Sequence, residues 1–253
     1  MRSSLGAASE VAPGAPVVVL AAMREELDGI RALATESRGG PFVEARLAGR
    51  PVLFAATGDG ADNATRVAGD LLRRHPVCGL IVAGTSGALS PSLAPGSLVV
   101  ARRVLQGHSP APPPDPGWVE KVLSCGGVEG GTVVSSPAIL WTRDSKAAAY
   151  AGLGSGEPAV VDLETAAVAR VAADHGVPYI AVRAISDSAG EDLPLDFNRY
   201  RDESGRIDRF RVALAAVLRP RLIAPLWRLK RRVAMCSDNL AGLIYRSFQR
   251  GMP

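Results

Sequence analysis

The apolar positions of the chain follow two rhythms. Val17 to Ala22 is an uninterrupted aliphatic run, which predicts a strand buried on both faces, and Leu80 to Ala83, Leu98 to Val104, Thr132 to Ser135, Ala159 to Asp162 and Tyr179 to Ile185 add further strands. Phe42 to Leu47 and Val52 to Thr57 flank the turn A-G-R-P and predict a hairpin. Helical spacing predicts one helix over Asp62 to Arg74, with Ala64, Val67, Ala68, Leu71 and Leu72 on one stripe, and another over Glu164 to His175. The prolines of S-P-A-P-P-P-D-P-G, Ser109 to Gly117, predict an extended loop. Arg- and Leu-rich helices follow near the end, broken at Pro220 and Pro225 and restarted at Ser237, where S-D-N caps a stripe of Leu240, Leu243, Ile244 and Phe248.

Strands alternating with helices predict an α/β chain, a single-domain three-layer α/β/α sandwich with a mixed central sheet. The 253 residues, 47% hydrophobic and only 5% aromatic, suit one large aliphatic core. The expected organisation is a loose leader over 1–15, a main domain over 16–198, and a helical extension over 199–253 packed on or beside it. That extension holds 13 of the 29 Lys and Arg and four acids, a net +9, which leaves −5 for the rest of a chain whose formal charge is +4. Three cysteines without C-x-x-C spacing suggest neither disulfides nor a thiolate metal site, and the start of the chain lacks an apolar targeting run, so a cytoplasmic placement is expected. His75, His108 and His175 are not at ligand spacing, so no metal is expected, and G-D-G at Gly58 to Gly60 with no G-x-G-x-x-G after it does not diagnose a dinucleotide site, so no cofactor is expected.

Candidate chemistry sits where strands end. Glu26 follows the first strand in A-A-M-R-E-E-L, Glu164 lies in V-V-D-L-E-T-A-A, and Asp187 closes A-V-R-A-I-S-D-S-A. Three such carboxylates suit acid/base chemistry, and helix N-termini attract acids through the macrodipole in any case. G-T-S-G-A-L-S, after Leu80 to Ala83, reads as a glycine-rich turn whose backbone could approach a ligand.

Taken together and in this order, these segments resemble the nucleoside phosphorylase superfamily from about Val17 to Gly190, with V-P-Y-I-A-V-R-A-I-S-D the most specific piece. The nearest likeness is to 5′-methylthioadenosine/S-adenosylhomocysteine nucleosidases. The resemblance implies that the main domain is catalytic and takes a small-molecule purine nucleoside. It implies that Asp187 protonates purine N7, Glu164 accepts hydrogen bonds from ribose hydroxyls, and Glu26 positions or deprotonates the attacking water. Thr85, Ser86 and Gly87 would line the ribose and nucleophile region, Leu163 would lie under the ribose, Ile139 and Leu140 would run along the purine, and Ser186 would adjoin the acid. Asp187, ending an apolar strand, is expected to keep its proton and Glu26, at a helix start, to stay ionised. This chain departs from the family pattern at Leu163, usually methionine, at Asp162, usually glutamate, and at Pro137, usually aspartate. The resemblance also implies a homodimer, and it assigns the proline-rich Val104 to Thr132 stretch to the 5′ end of the substrate.

The extension is similar to that of hopanoid-associated phosphorylase-like proteins, which would make adenosylhopane the substrate. Leu226, Trp227, Leu229 and Val233 with Arg228, Lys230, Arg231 and Arg232 could form an interfacial helix giving peripheral membrane contact, or a solvated helix packed on the domain. Two other readings stand beside the nucleosidase: a phosphorylase with an anion site at Arg24 or Arg66, which a carboxylate at Glu26 would disfavour, and a non-catalytic basic binding module. No nucleic-acid partner is expected.

Overall fold

In strand β1 (Val17–Ala21), Val17, Val19 and Ala21 face one side and Val18 and Leu20 the other, and all five are buried, so the run needs apolar cover on both faces. The computed structural model describes residues 14–252 apart from Pro41, Ser155 and Ser204; the leader expected over 1–15 lies almost wholly outside the described residues. After β1 come α1 (Arg24–Ala32), β2 (Thr35–Arg38), β3 (Val43–Leu47), β4 (Arg50–Ala56), α2 (Ala61–Arg74), β5 (Gly79–Ala88), β6 (Leu98–Gln106), β7 (Ser109–Pro110) and α3 (Pro116–Leu123). The second half holds β8 (Glu129–Ser135), α4 (Arg143–Ala151), β9 (Ala159–Asp162), α5 (Thr165–Asp174), β10 (Tyr179–Asp187), α6 (Arg209–Leu218) and α7 (Ile223–Gln249).

The strands form one mixed sheet in the order β10-β6-β8-β9-β5-β1-β4-β3-β2. β5 also pairs with β10 in parallel from Leu80 to Gly87 and meets β9 antiparallel at Gly87 and Ala88, so the sheet closes on itself beside the ends of these strands. One face is covered by α1, α3 and α7 through Leu27, Ile30, Trp118, Val122, Leu240 and Phe248. The other is covered by α2 and α5, whose alanines (Ala64, Ala68, Ala166, Ala169, Ala172) let the helices lie close to the sheet. This is the three-layer α/β/α sandwich with a mixed central sheet that the apolar pattern predicts.

Four expectations are corrected. G-T-S-G-A is not a turn: β5 continues through it, held by pairing with β10 as far as Gly87 and with β9 at Gly87 and Ala88. Its glycine instead admits packing, since a Cβ on Gly84 would stand 2.5 Å from Arg183 Nη1 and 3.2 Å from Glu26 Oε1. The proline-rich stretch is not wholly loop: Ser109 and Pro110 pair with β6, and Pro116 opens α3 at a position where its missing N–H costs nothing. α7 runs unbroken for 27 residues, because Pro225 falls in its first turn and needs no intrahelical donor there. Ser237 is therefore no cap; its Oγ accepts from Gly29 N and donates to the Glu26 carbonyl, tying α7 to α1. Of the extension expected over 199–253, Cys236, Leu240, Ala241, Leu243, Ile244, Phe248 and Met252 pack into the core.

Candidate active site

Each of the three carboxylates is fixed by backbone that ends a strand. β1 ends, the chain turns into α1, and the Met23 amide donates to Glu26 Oε2 at 3.1 Å. The other oxygen, Oε1, accepts from the Thr85 amide at 2.6 Å and the Thr85 hydroxyl at 2.7 Å, across from β5. Glu164 stands between β9 and α5, and its Oε1 accepts from the Gly60 amide at 2.7 Å. Gly60 has φ of +90°, a backbone that side chains rarely adopt, and this is what points its N–H at the carboxylate. Asp187 ends β10, with Ser186 Oγ donating to Oδ1 at 2.6 Å and Lys146 Nζ to Oδ2 at 2.5 Å.

Behind these groups lies a buried ionic layer. Arg183, the one charged residue within the apolar run of β10, is 2% exposed and lies 2.5 Å from Asp162 Oδ2. Its Nη2 also donates to Thr165 Oγ1. Asp162 accepts from Ser135 Oγ at 2.6 Å and from the Thr165 amide and hydroxyl, so the aspartate at this position anchors the β9–α5 corner that carries Glu164.

Burial sets the electrostatics. It pushes Glu26 above the usual carboxylate range, opposed by the Thr85 and Met23 donors and by Arg183. It pushes Glu164 up to about 8, reinforced by the negative charge of Asp162 and opposed by Arg183 and the Gly60 amide. Burial thus works against the expectation that Glu26, at a helix start, stays ionised. Glu26 is fully enclosed, and Asp187 shares an oxygen with a buried ammonium.

The residues that the resemblance assigns to the site come together. Asp187, Glu26, Glu164, Leu163, Thr85, Ser86, Gly87, Ile139, Leu140 and Ser186 line one cleft of about 880 Å³. Ser86 Oγ is buried there without a hydrogen-bond partner among the described residues. Arg24 and Arg66 do not line it. Nor does any residue from 104 to 132: the proline run packs at the opposite end of β10, where the Asp115 amide donates to the Tyr179 carbonyl. The wall assigned to that stretch comes instead from Leu193, Phe197 and Val212 and from Leu226, Leu229 and Val233 of α7.

Of the helix expected to be either interfacial or packed on the domain, Leu226, Leu229 and Val233 face the cleft and Arg232 is paired with Glu191. Trp227 remains outside with Arg231 4.8 Å over its ring. Phe210, Leu214, Val217, Leu218 and Ile223 are exposed as well. Other site residues lay outside the sequence reading. Asn198 brackets Ile139, its Oδ1 accepting from the Ile139 amide and its Nδ2 donating to the Ile139 carbonyl, both at 2.9 Å. Lys146 comes from α4, a helix the apolar pattern does not announce.

Residues 16–219 match the profile of the family described as "Phosphorylase superfamily". The chain is similar to the 5′-methylthioadenosine/S-adenosylhomocysteine nucleosidase of Bacillus thuringiensis, 28% identical over 222 residues covering 74% of this chain and 92% of that one. It is similar to the nucleosidase of the same name from Mycobacterium tuberculosis, 26% identical over 235 residues covering 74% and 91%. Its fold is similar to the S-adenosylhomocysteine nucleosidase of Streptococcus pyogenes solved with 5-methylthiotubericidin (TM-score 0.73, 18% identity, 95% of this chain and 98% of that one). The same holds for the nucleosidase of Colwellia psychrerythraea solved with adenine (TM-score 0.74, 18% identity, 94% and 96%).

Proposed function

From the premise that the chain belongs to the phosphorylase superfamily, we propose that it is a purine nucleosidase that hydrolyses the N-glycosidic bond of a 5′-substituted adenosine and releases adenine. The observation that carries this reading is the convergence of Glu26, Glu164 and Asp187, from three separate strand ends, on one cleft. Breaking the bond between C1′ and N9 leaves positive charge on the ribose and negative charge on the departing base. Asp187 gives its proton to purine N7, Glu164 accepts from ribose hydroxyls, and Glu26 takes a proton from the water that adds to C1′. Thr85 holds Glu26 in place for this, and the free Ser86 Oγ is available to the same water or to a ribose hydroxyl. Named relatives with nucleosidase activity support water rather than phosphate as nucleophile, as does the enclosure of Glu26 where a phosphate would have to sit.

The 5′ substituent is apolar. The cleft lies in the upper part of the range for small-molecule sites, about 300–1,000 Å³, and Leu193, Phe197, Leu226, Leu229 and Val233 put an aliphatic and aromatic surface into its lining, beside the charged Arg209 and Lys230. The likeness of the extension to hopanoid-associated proteins makes adenosylhopane one such substrate. The exposed Phe210, Leu214, Val217, Leu218, Ile223 and Trp227 lie among eight basic residues and no acid between 209 and 237, which supports peripheral contact with an anionic membrane surface at the inner face. No helix among the described residues is long and apolar enough to cross a membrane. The homodimer is carried by the resemblance alone, and sedimentation velocity tests it.

The function is tested with adenosine, 5′-methylthioadenosine and a long-chain 5′-alkylthioadenosine. Adenine is expected from all three, with the largest kcat/KM for the long chain. Release of adenine from none of them would overturn the reading, and a preference for adenosine would overturn the apolar 5′ group.

A further inference from the structure

Among the described residues, Lys146 is buried like a core residue yet carries a charge. Its side chain is 0% exposed, and Nζ uses all three protons: on Asp187 Oδ2 at 2.5 Å, on the Ser188 carbonyl at 2.9 Å and on the Glu191 carbonyl at 2.9 Å. An ammonium taken out of water is costly unless every proton is matched and the opposite charge is close, and both conditions hold here. Lys146 does not line the cleft, so it touches no substrate. It grips instead the loop that follows β10. There the Ser188 amide donates to Glu191 Oε1, and Arg232 of α7 reaches the same oxygen. α4 thus holds the carboxyl of Asp187 directly, while α7 holds the loop behind it.

We propose that Lys146 is a positioning residue for leaving-group activation, fixing Asp187 so that Oδ1 alone is presented to the purine and stabilising the carboxylate that remains once its proton has passed to N7. This rests on the reading of Asp187 as the acid. The proton moves from the Asp187 carboxyl to N7, and Lys146 stays an ammonium throughout, so nothing else need be supplied. Two geometric facts support the assignment. Oδ2 is committed to Lys146, which does not line the cleft, and Oδ1 has only the rotatable Ser186 hydroxyl on it. A purely structural lysine could equally have been an apolar residue, because buried ion pairs are often replaceable by apolar side chains without loss of stability.

The test is a double-mutant cycle on adenine release from 5′-methylthioadenosine. Lys146→Met is expected to lower kcat by about 10- to 100-fold, within the range that acid catalysis supplies, with KM changed by less than about threefold because no substrate contact is lost. In the Asp187→Asn background the same substitution is expected to change kcat by less than about twofold, since two residues acting as a unit are not additive. Lys146→Arg, which keeps the charge, is expected to recover most of the loss. If Lys146→Met does not fold, Lys146→Gln takes its place in the cycle with the same expected pattern. An equal fall in both backgrounds, a rise in KM without a fall in kcat, or unchanged turnover would overturn the role of Lys146 alone. A wild type that releases no adenine would overturn the functional reading first, and this role with it.

Discussion

Replacing Glu164 with glutamine gives a loss of activity whose size depends on pH in a direction the structure fixes. The folded-state value for Glu164 stands near 8, against 4.5 for an ordinary glutamate, because burial and Asp162 disfavour its charge. Only the ionised carboxylate accepts hydrogen bonds from ribose hydroxyls with both oxygens; the neutral acid turns one of them into a donor. At pH 9 most of the wild type carries the charge, and Glu164→Gln exchanges two charge-assisted hydrogen bonds for weaker neutral ones. At about 1–2 kcal/mol lost for each, kcat/KM falls by about 30- to 1,000-fold. At pH 6 about 1% of the wild type is ionised, so the ratio of wild type to variant shrinks by about a hundredfold. The assay is kcat/KM for adenine release between pH 6 and 9 for both proteins, and taking the ratio cancels groups common to them. A ratio independent of pH would refute the argument that Glu164 is both strained by burial and responsible for holding the sugar.

The same buried carboxyl affects stability: with 4.5 unfolded and about 8 folded, the native state binds more protons between these values, so Tm falls as pH rises from 4.5 to 8 and levels above it, and Glu164→Gln flattens the slope. Asp187→Asn lowers turnover by about 100- to 10,000-fold, because an amide has no acidic proton for N7, and lowers Tm by leaving the buried Lys146 ammonium without its counter-charge; unchanged adenine release by the folded variant removes Asp187 from the mechanism. Gly84→Ala puts a Cβ 2.5 Å from Arg183 Nη1, and overpacking of about 1–3 kcal/mol lowers Tm by about 2–10 °C, with loss of activity as Glu26 shifts. An unchanged melt would show that the site yields. Co-sedimentation with anionic vesicles is expected at low salt, to be lost at high salt and on Leu218→Glu with Trp227→Glu; binding that survives the double substitution contradicts the assigned surface.

The layers and the three acids were legible because apolar runs such as Val17 to Ala22 and Tyr179 to Ile185 mark buried strands, and their ends mark the site. What surrounds those acids was not, because it comes from distant parts of the chain. Glu26 looked like a first-turn acid until Thr85, 59 residues on, covered it. Asp187 has its partner in Lys146 of α4, a single lysine in an alanine-rich stretch with no periodic signature. Arg183 did leave a trace, as a charge inside an apolar strand that could only be tolerated with a partner. In α7 the spacing of Leu226, Leu229 and Val233 marks a common face, and nothing local says whether a cleft or a bilayer meets it.

The claim at the centre is that water, not phosphate, attacks a sugar held among three carboxylates. It is tested most directly by incubating the wild-type protein with 5′-methylthioadenosine in phosphate-free buffer and in buffer with phosphate, and identifying both products. Adenine and the free 5′-methylthio sugar are expected in equal amounts at the same rate in both buffers. Adenine formed only with phosphate, together with the sugar 1-phosphate, would contradict it.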